Sequence, residues 1–449
     1  MHRTVVINIV GLSQSILHLL PFVKKYADRH KLRTIEPMLP AVTTAVQSTY
    51  LTGKWPSETG IVGNGWYDHA DSEIKFWKQS NALVQSQKIW EAAKAADPSF
   101  TCSNMFWWYN MYSTVDYSAT PRPNYLADGR KMPDCYTYPA SLRDTLQKEL
   151  GPFPLFQFWG PGAHIRSSRW IASASIKTDQ LYQPTLTLIY LPHLDYCLQK
   201  FGNNEALIKE DCLEIDKVVA ELIAYYEEQN IRIILLSEYG IAPVSNPIHP
   251  NRMLRNKEYL AIREERGLDL LDAGASSAFA VADHQVAHIY IKDKYLLPII
   301  KAMFENTAGI AAVLDKAGQA AHHIYHERSG DLVLIAADDS WFTYYFWNDD
   351  QRAPDYARCV DIHKKPGYDP VEMFMTSKLQ AAYKLLKKKL GFRYVMNVIP
   401  LNAALVKGSH GSPFVTDDYK PVLITKSAPL QEQLLPTDIH NIIWQHLFS

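Results

Sequence analysis

The stretch TLTLIYLPHLDYCLQKFGNNEALIKEDCLEIDKVVAELIAYYEEQNIRIILLS, residues 185–237, decides the fold class. It begins and ends in short apolar runs, TLTLIYL (185–191) and IRIILLS (231–237), of the continuous kind that marks strands buried on both faces. Between them Leu207, Ile208, Ile215, Val218, Val219, Leu222, Ile223 and Tyr226 recur at helical spacing. Strand, helix and strand joined by short links make a βαβ crossover, the unit of a parallel sheet. A third run of the same kind, TVVINIV (4–10), opens the chain. Ligands collect beyond the carboxyl ends of such strands, so the residues just past these three runs are the ones to read for chemistry.

A chain of 449 residues is long for one core, which points to a large domain with insertions. The expected α/β core takes residues 1–243 and 366–449. It includes an irregular, aromatic-rich insertion over about 66–183, with a helix near 141–150. A cap or inserted subdomain is expected over 244–365, with strand signals in VAHIYIKD and DLVLIAA. Residues 376–390 read as an amphipathic helix with Leu379, Ala382, Tyr383, Leu386 and Leu390 on one face and its lysines on a solvated one.

A formal net charge of −1 supplies no field that would gather nucleic acid or an anionic membrane, so neither is expected as a partner. The five cysteines have irregular spacings and no CxxC pair, which argues against a disulfide framework and a thiolate zinc site. The N-terminal apolar stretch is broken by Asn8, Ser13, Gln14, Ser15 and His18, unlike a cleavable leader, and no apolar run reaches about 18 residues. A soluble, cytoplasmic protein is the expectation.

The segment LPAVTTAVQSTYLTGKWPSETGIVGN, residues 39–64, continues from Thr43 as a helix. Thr43 reads either as an N-cap or as a reactive group set where a helix dipole favours an anion. Its setting resembles the alkaline phosphatase superfamily, in particular the nucleotide pyrophosphatase/phosphodiesterase branch. Pro40, Thr43, Thr52-Gly53 and ETGIVGN match that branch's motifs in order, with Thr43 and Asn64 21 residues apart. The resemblance implies a three-layer α/β/α sandwich with a mainly parallel sheet. It makes Thr43 a nucleophile, and it gives Asn64 and the Thr43 backbone N–H a phosphate oxygen to hold.

The same resemblance implies two zinc ions held by three Asp and three His, and here the chain departs from it. Val10 stands where the first Asp is expected, Gln199 where a His should follow Asp195, and Glu238-Tyr239 where Asp-His is expected. Gly408-Ser409-His410-Gly411 keeps the last motif. A full two-zinc centre is therefore not expected. One divalent ion, zinc by resemblance or else manganese or iron, would rest on Asp195 and His410, with His193 as the candidate third ligand. Glu238 is the candidate acceptor of the Thr43 proton. Gln199, Tyr239 and His363 are further pocket candidates, the last in a Pro-Gly loop, DIHKKPGYDP (361–370), that reads also as a solvated turn. HHIYH (322–326) puts His322 and His326 at a zinc-like spacing. His284 and His288 enter an expected strand where they would share a face.

The expected function is a phosphodiesterase or pyrophosphatase-type hydrolase acting on a small phosphorylated molecule. Two alternatives stand beside it: a relative that binds such a ligand without hydrolysing it, and an enzyme reusing the pocket with Glu238 and His410 as acid and base.

Overall fold

The computed structural model describes residues 1–427 and 431–449. The three apolar runs form strands Thr4–Ile9, Leu186–Leu191 and Arg232–Leu236, and they lie side by side and parallel, with Thr4–Ile9 in the middle. Every residue of the first two is buried. That is why neither shows an alternating pattern: both faces are covered. The whole sheet has nine strands, parallel through its centre and antiparallel toward both sides.

Helices cover both faces. The crossover helix Glu205–Glu228 packs with Pro21–Arg29 and Arg166–Tyr182, while Thr43–Thr52 packs with the C-terminal helix Asp438–Phe448. The architecture is the α/β sandwich that the resemblance implies.

Two expectations need correction. The aromatic-rich stretch 66–183 is more than an insertion, because strands Cys102–Met105, Tyr117–Pro121 and Cys135–Tyr138 extend the central sheet on one side. Those strands contain Asn104, Ser118 and Thr120, all buried, so they carry no continuous apolar signal. Helix Lys378–Lys389 forms where the periodicity predicts it, but its apolar stripe faces solvent: Leu379, Tyr383, Leu386 and Leu390 are all exposed.

Within 244–365 a second sheet of four antiparallel strands runs in the order Ala278–Asp283, Val286–Ile291, Leu332–Ala336, Ile310–Leu314. Its first two strands make a hairpin whose tip, Asp283 to Gln285, meets the central sheet's carboxyl edge. There the Gln285 N–H donates to the carbonyl of His410 at 2.9 Å. At the same edge Gly240 bridges Gly11, and a Cβ on Gly240 would lie 2.1 Å from the Tyr419 carbonyl oxygen. Backbone, not a flexible side chain, fills that space. Gly240→Ala is expected to destabilise the fold by about 1–3 kcal/mol, read as a lowered denaturant midpoint at unchanged m-value.

Candidate functional site

Thr43 is the first residue of its helix. The N-cap position belongs to Val42, in extended conformation and with no capping side chain. Capping therefore does not occupy the Thr43 hydroxyl. Instead its Oγ1 lies 2.9 Å from the Tyr239 hydroxyl, which reaches on to Asp195 Oδ1 at 3.4 Å. All three residues are buried and line one cavity. Thr43 begins its helix, Asp195 stands in the first turn of helix His193–Phe201, and Tyr239 follows strand Arg232–Leu236. The site thus lies at the carboxyl ends of adjacent parallel strands, as the crossover argument requires.

Asn64 is held rather than free. Its Oδ1 accepts from the Thr44 N–H at 3.1 Å, and its Nδ2 donates to Asp283 Oδ1 at 3.1 Å. Asp283 Oδ2 also accepts the Asn64 backbone N–H at 2.7 Å. Glu238 is tied through Oε1 to the Asn8 amide at 2.5 Å and to the Gln47 amide, while its Oε2 has no hydrogen-bond partner. Gln199 donates to Asp195 Oδ2 at 2.7 Å and accepts from the Tyr368 hydroxyl at 3.0 Å.

Beside the carboxyls stands a column of four rings. Tyr239 stacks on His410 at 3.6 Å, His284 stacks on Tyr368 at 3.6 Å, and His410 and His284 meet between them at 3.7 Å with their planes tilted by 37°. His410 Nδ1 is 2.7 Å from the Ala41 carbonyl oxygen. This leaves Nε2 without a hydrogen-bond partner, 3.7 Å from Asp195 Oδ1.

Burial sets the charge state. It pushes Asp195 and Asp283 up to about 7 and Glu238 up to about 8. It pulls His410 down to about 3 and His284 well below its ordinary value. Lys131 is the one cation among the described residues that line the cavity. Trp77, Trp108 and Trp159 form much of its wall, so the pocket is apolar and flat-sided above a polar floor.

The implied two-zinc centre does not fit these residues. Val10 is an apolar, fully buried side chain, and burial raises the Tyr239 hydroxyl far above neutrality, so it stays protonated. Gln199 turns its amide nitrogen, not its oxygen, toward Asp195. His193 does not complete an Asp195–His410 pair either. Its Nε2 lies 3.0 Å from Asp211 Oδ1 and 3.9 Å from Glu214 Oε2, beside the crossover helix. Two residues along a helix turn a side chain by about 200°, so the extended geometry that would align His193 with Asp195 is absent. His193, Asp211 and Glu214 are the one group of three close ligand-type side chains among the described residues.

His363 lines the cavity with Nδ1 3.3 Å from the Phe76 carbonyl oxygen. Its neighbour Lys365 is buried with Asp369 and Glu372 at 2.8 and 2.6 Å, so that loop is no simple solvated turn. His322 and His326 share no helical face, because the helix ends at Ala321. His288 sits inside its strand, 3.0 Å from the Val62 carbonyl oxygen, while His284 occupies the hairpin turn at φ 59°.

Sequence reasoning missed Asp283, Gln47, Asn8 and Tyr368, and it misplaced His284. The hairpin was readable: AFAVAD and VAHIYI flank a two-residue His-Gln turn.

A buried threonine at a helix start, facing carboxyls at the carboxyl edge of a parallel sheet, defines an alkaline-phosphatase-like α/β protein. The family model of type I phosphodiesterase / nucleotide pyrophosphatase matches residues 4–369, and the chain belongs to that family. It is 24% identical over 220 residues to an uncharacterized pyrophosphatase/phosphodiesterase of Schizosaccharomyces pombe; the match covers 47% of this chain and only 38% of that relative's length. In fold it is similar to phosphonoacetate hydrolase from Sinorhizobium meliloti in complex with phosphonoformate (TM-score 0.61, 14% identity, 99% and 96% of the two chains). It is equally similar to an inactive variant of murine ectonucleotide pyrophosphatase/phosphodiesterase 5 in complex with AMP (TM-score 0.61, 12% identity, 100% and 95%).

The raised carboxyls bind more protons in the folded than in the unfolded chain between about pH 4 and 8, so stability falls as pH rises through that window. The lowered histidines act in the opposite sense below 6.5, where the unfolded chain binds more protons. Melting temperature is therefore expected to fall steadily from pH about 6.5 to about 8.5, and Glu238→Gln should flatten that limb. A scan of melting temperature against pH on both proteins checks it.

Proposed function

We propose that this protein hydrolyses a phosphodiester or pyrophosphate bond, with Thr43 as the nucleophile. The observation that supports it most is the hydrogen-bonded line from Thr43 Oγ1 through the Tyr239 hydroxyl to Asp195. In this reading Thr43 Oγ1 bonds to phosphorus as the bond to the leaving oxygen breaks. Its proton passes to the Tyr239 oxygen while the Tyr239 proton passes to Asp195, and the leaving oxygen is protonated from water. Asp195 gives its proton up to the hydroxide so left, and water then attacks phosphorus as the bond to Thr43 Oγ1 breaks. The water's proton passes to Asp195 and on to the Tyr239 oxygen as Tyr239 gives its own to Thr43 Oγ1, which restores the starting state. An Asp195 value of about 7 suits a base that works near neutrality. The helix start at Thr43 favours the negative charge of the transferring group.

A divalent ion would screen phosphoryl charge. Asp195 and His410 would offer it two donors, short of the three that zinc usually takes, so no step here depends on one. Glu238, held by Asn8 and Gln47, serves as a neutral support near Thr43 rather than as the base expected from sequence. A monoanionic diester suits a cavity floored by the Asp195 carboxyl better than a dianionic monoester, and the tryptophan walls favour a flat substituent. The AMP held by the murine relative carries a flat base of that kind.

The second reading, binding without hydrolysis, draws on the same departures at Val10, Gln199 and Tyr239. Release of p-nitrophenol from bis(p-nitrophenyl) phosphate separates the two. Activity is expected to rise through pH about 7, to vanish in Thr43→Ala, and to fall about 10²-fold in Tyr239→Phe. It should persist in chelator, with no metal by elemental analysis that departs in Asp195→Ala. Activity surviving Thr43→Ala would sink the covalent step, and a chelator-sensitive activity would sink the metal-free one. Ligand binding with no turnover of any diester would leave the binding reading.

A further inference from the structure

We infer that helix Lys378–Lys389, with the turn that follows it, docks this protein on an anionic lipid bilayer. An amphipathic helix ordinarily buries its apolar stripe in the core. This one is inverted. Leu379, Tyr383, Leu386 and Leu390 share a stripe at positions i, i+4, i+7 and i+11, with exposures of 84, 55, 53 and 62%. The side toward the protein carries Ala381, Gln380 and the half-exposed Leu385. Ala381 is its one buried residue, and Gln380 bonds the Thr376 hydroxyl at 3.0 Å and the Asn397 carbonyl at 3.3 Å. Beyond the helix, Phe392 and Val395 add exposures of 63 and 56%.

Charge completes the pattern. At 100° per residue, Lys378 and Lys389 border the stripe on one side and Lys387 on the other. Between Glu372 and Asp417 the sequence has no acidic residue, yet it has Lys378, Lys384, Lys387, Lys388, Lys389, Arg393 and Lys407. The near-neutral whole chain hides this local excess. Apolar residues in the middle and lysines at the borders match a helix lying in the plane of a bilayer, its leucines among acyl chains and its lysines at anionic headgroups.

The other occupants fit less well. A nucleic acid would need cations at the centre of the face, where the leucines are. A second copy meeting stripe to stripe would bring two lysine-bordered surfaces together. The helix also adjoins the cavity: Lys388 Nζ stands 5.7 Å from the ring of Phe156, a half-exposed residue of the cavity lining. Lys388 lies opposite the stripe, so docking would set that rim one helix diameter, roughly 10 Å, behind the membrane surface.

Co-sedimentation of the full chain with phosphatidylcholine vesicles, with and without phosphatidylglycerol, tests the inference independently of any activity. Binding is expected to the anionic vesicles, weakening in high salt, and to drop at least about tenfold in K387E/K388E/K389E. It should be lost also in L386S/L390S, whose changed side chains are more than half exposed, so that the melting temperature is expected to change little. No binding to anionic vesicles would overturn the proposal. So would binding that both variants retain, or a dimer by light scattering that L386S/L390S abolishes.

Discussion

The site depends on one constraint: three carboxyl groups, Asp195, Glu238 and Asp283, are buried without a cation among the described residues that contact them. A bare carboxylate in such a place would cost several kcal/mol. The fold answers with amides. Gln199 serves Asp195, Asn8 and Gln47 serve Glu238, and Asn64 serves Asp283. Burial does the rest by raising Asp195 and Asp283 to about 7 and Glu238 to about 8, which lessens the charge left at neutrality. The column Tyr239, His410, His284, Tyr368 then fills the remaining volume with neutral rings.

Much of this was legible in sequence because its signals are local. Continuous apolar runs announce strands covered on both faces, and the P-x-x-T, T-G and G-x-H-G spacings carry the motif positions with them. The parts that were not legible depend on long-range geometry. Asp283 reaches Asn64 across 219 positions of sequence, and nothing around Asp283 says where its hairpin tip will land. His193 and Asp195 look like partners when written in a row, but a helix there sends them to different neighbours. The strands within 66–183 escaped notice because their buried residues include Asn, Ser and Thr, which interrupt the apolar signal.

The second sheet is tied to the first through the site itself. Asp283 locks Asn64, His284 enters the ring column, and Gln285 bonds the His410 backbone. One hairpin turn therefore sets the positions of residues drawn from the beginning and the end of the chain. Its His284 holds a left-handed backbone conformation that a side-chain-bearing residue takes at some cost, and the surrounding stack accounts for its being tolerated.

The stretch that gives the cavity Trp77, Trp108 and Trp159 also gives the central sheet three of its strands. In many enzymes the loops that choose a substrate hang from a finished scaffold and can be exchanged freely. Here the wall and the frame are one piece of chain, so a wholesale loop exchange would strip the sheet of its margin. Change in that wall is then least disruptive when it comes one side chain at a time.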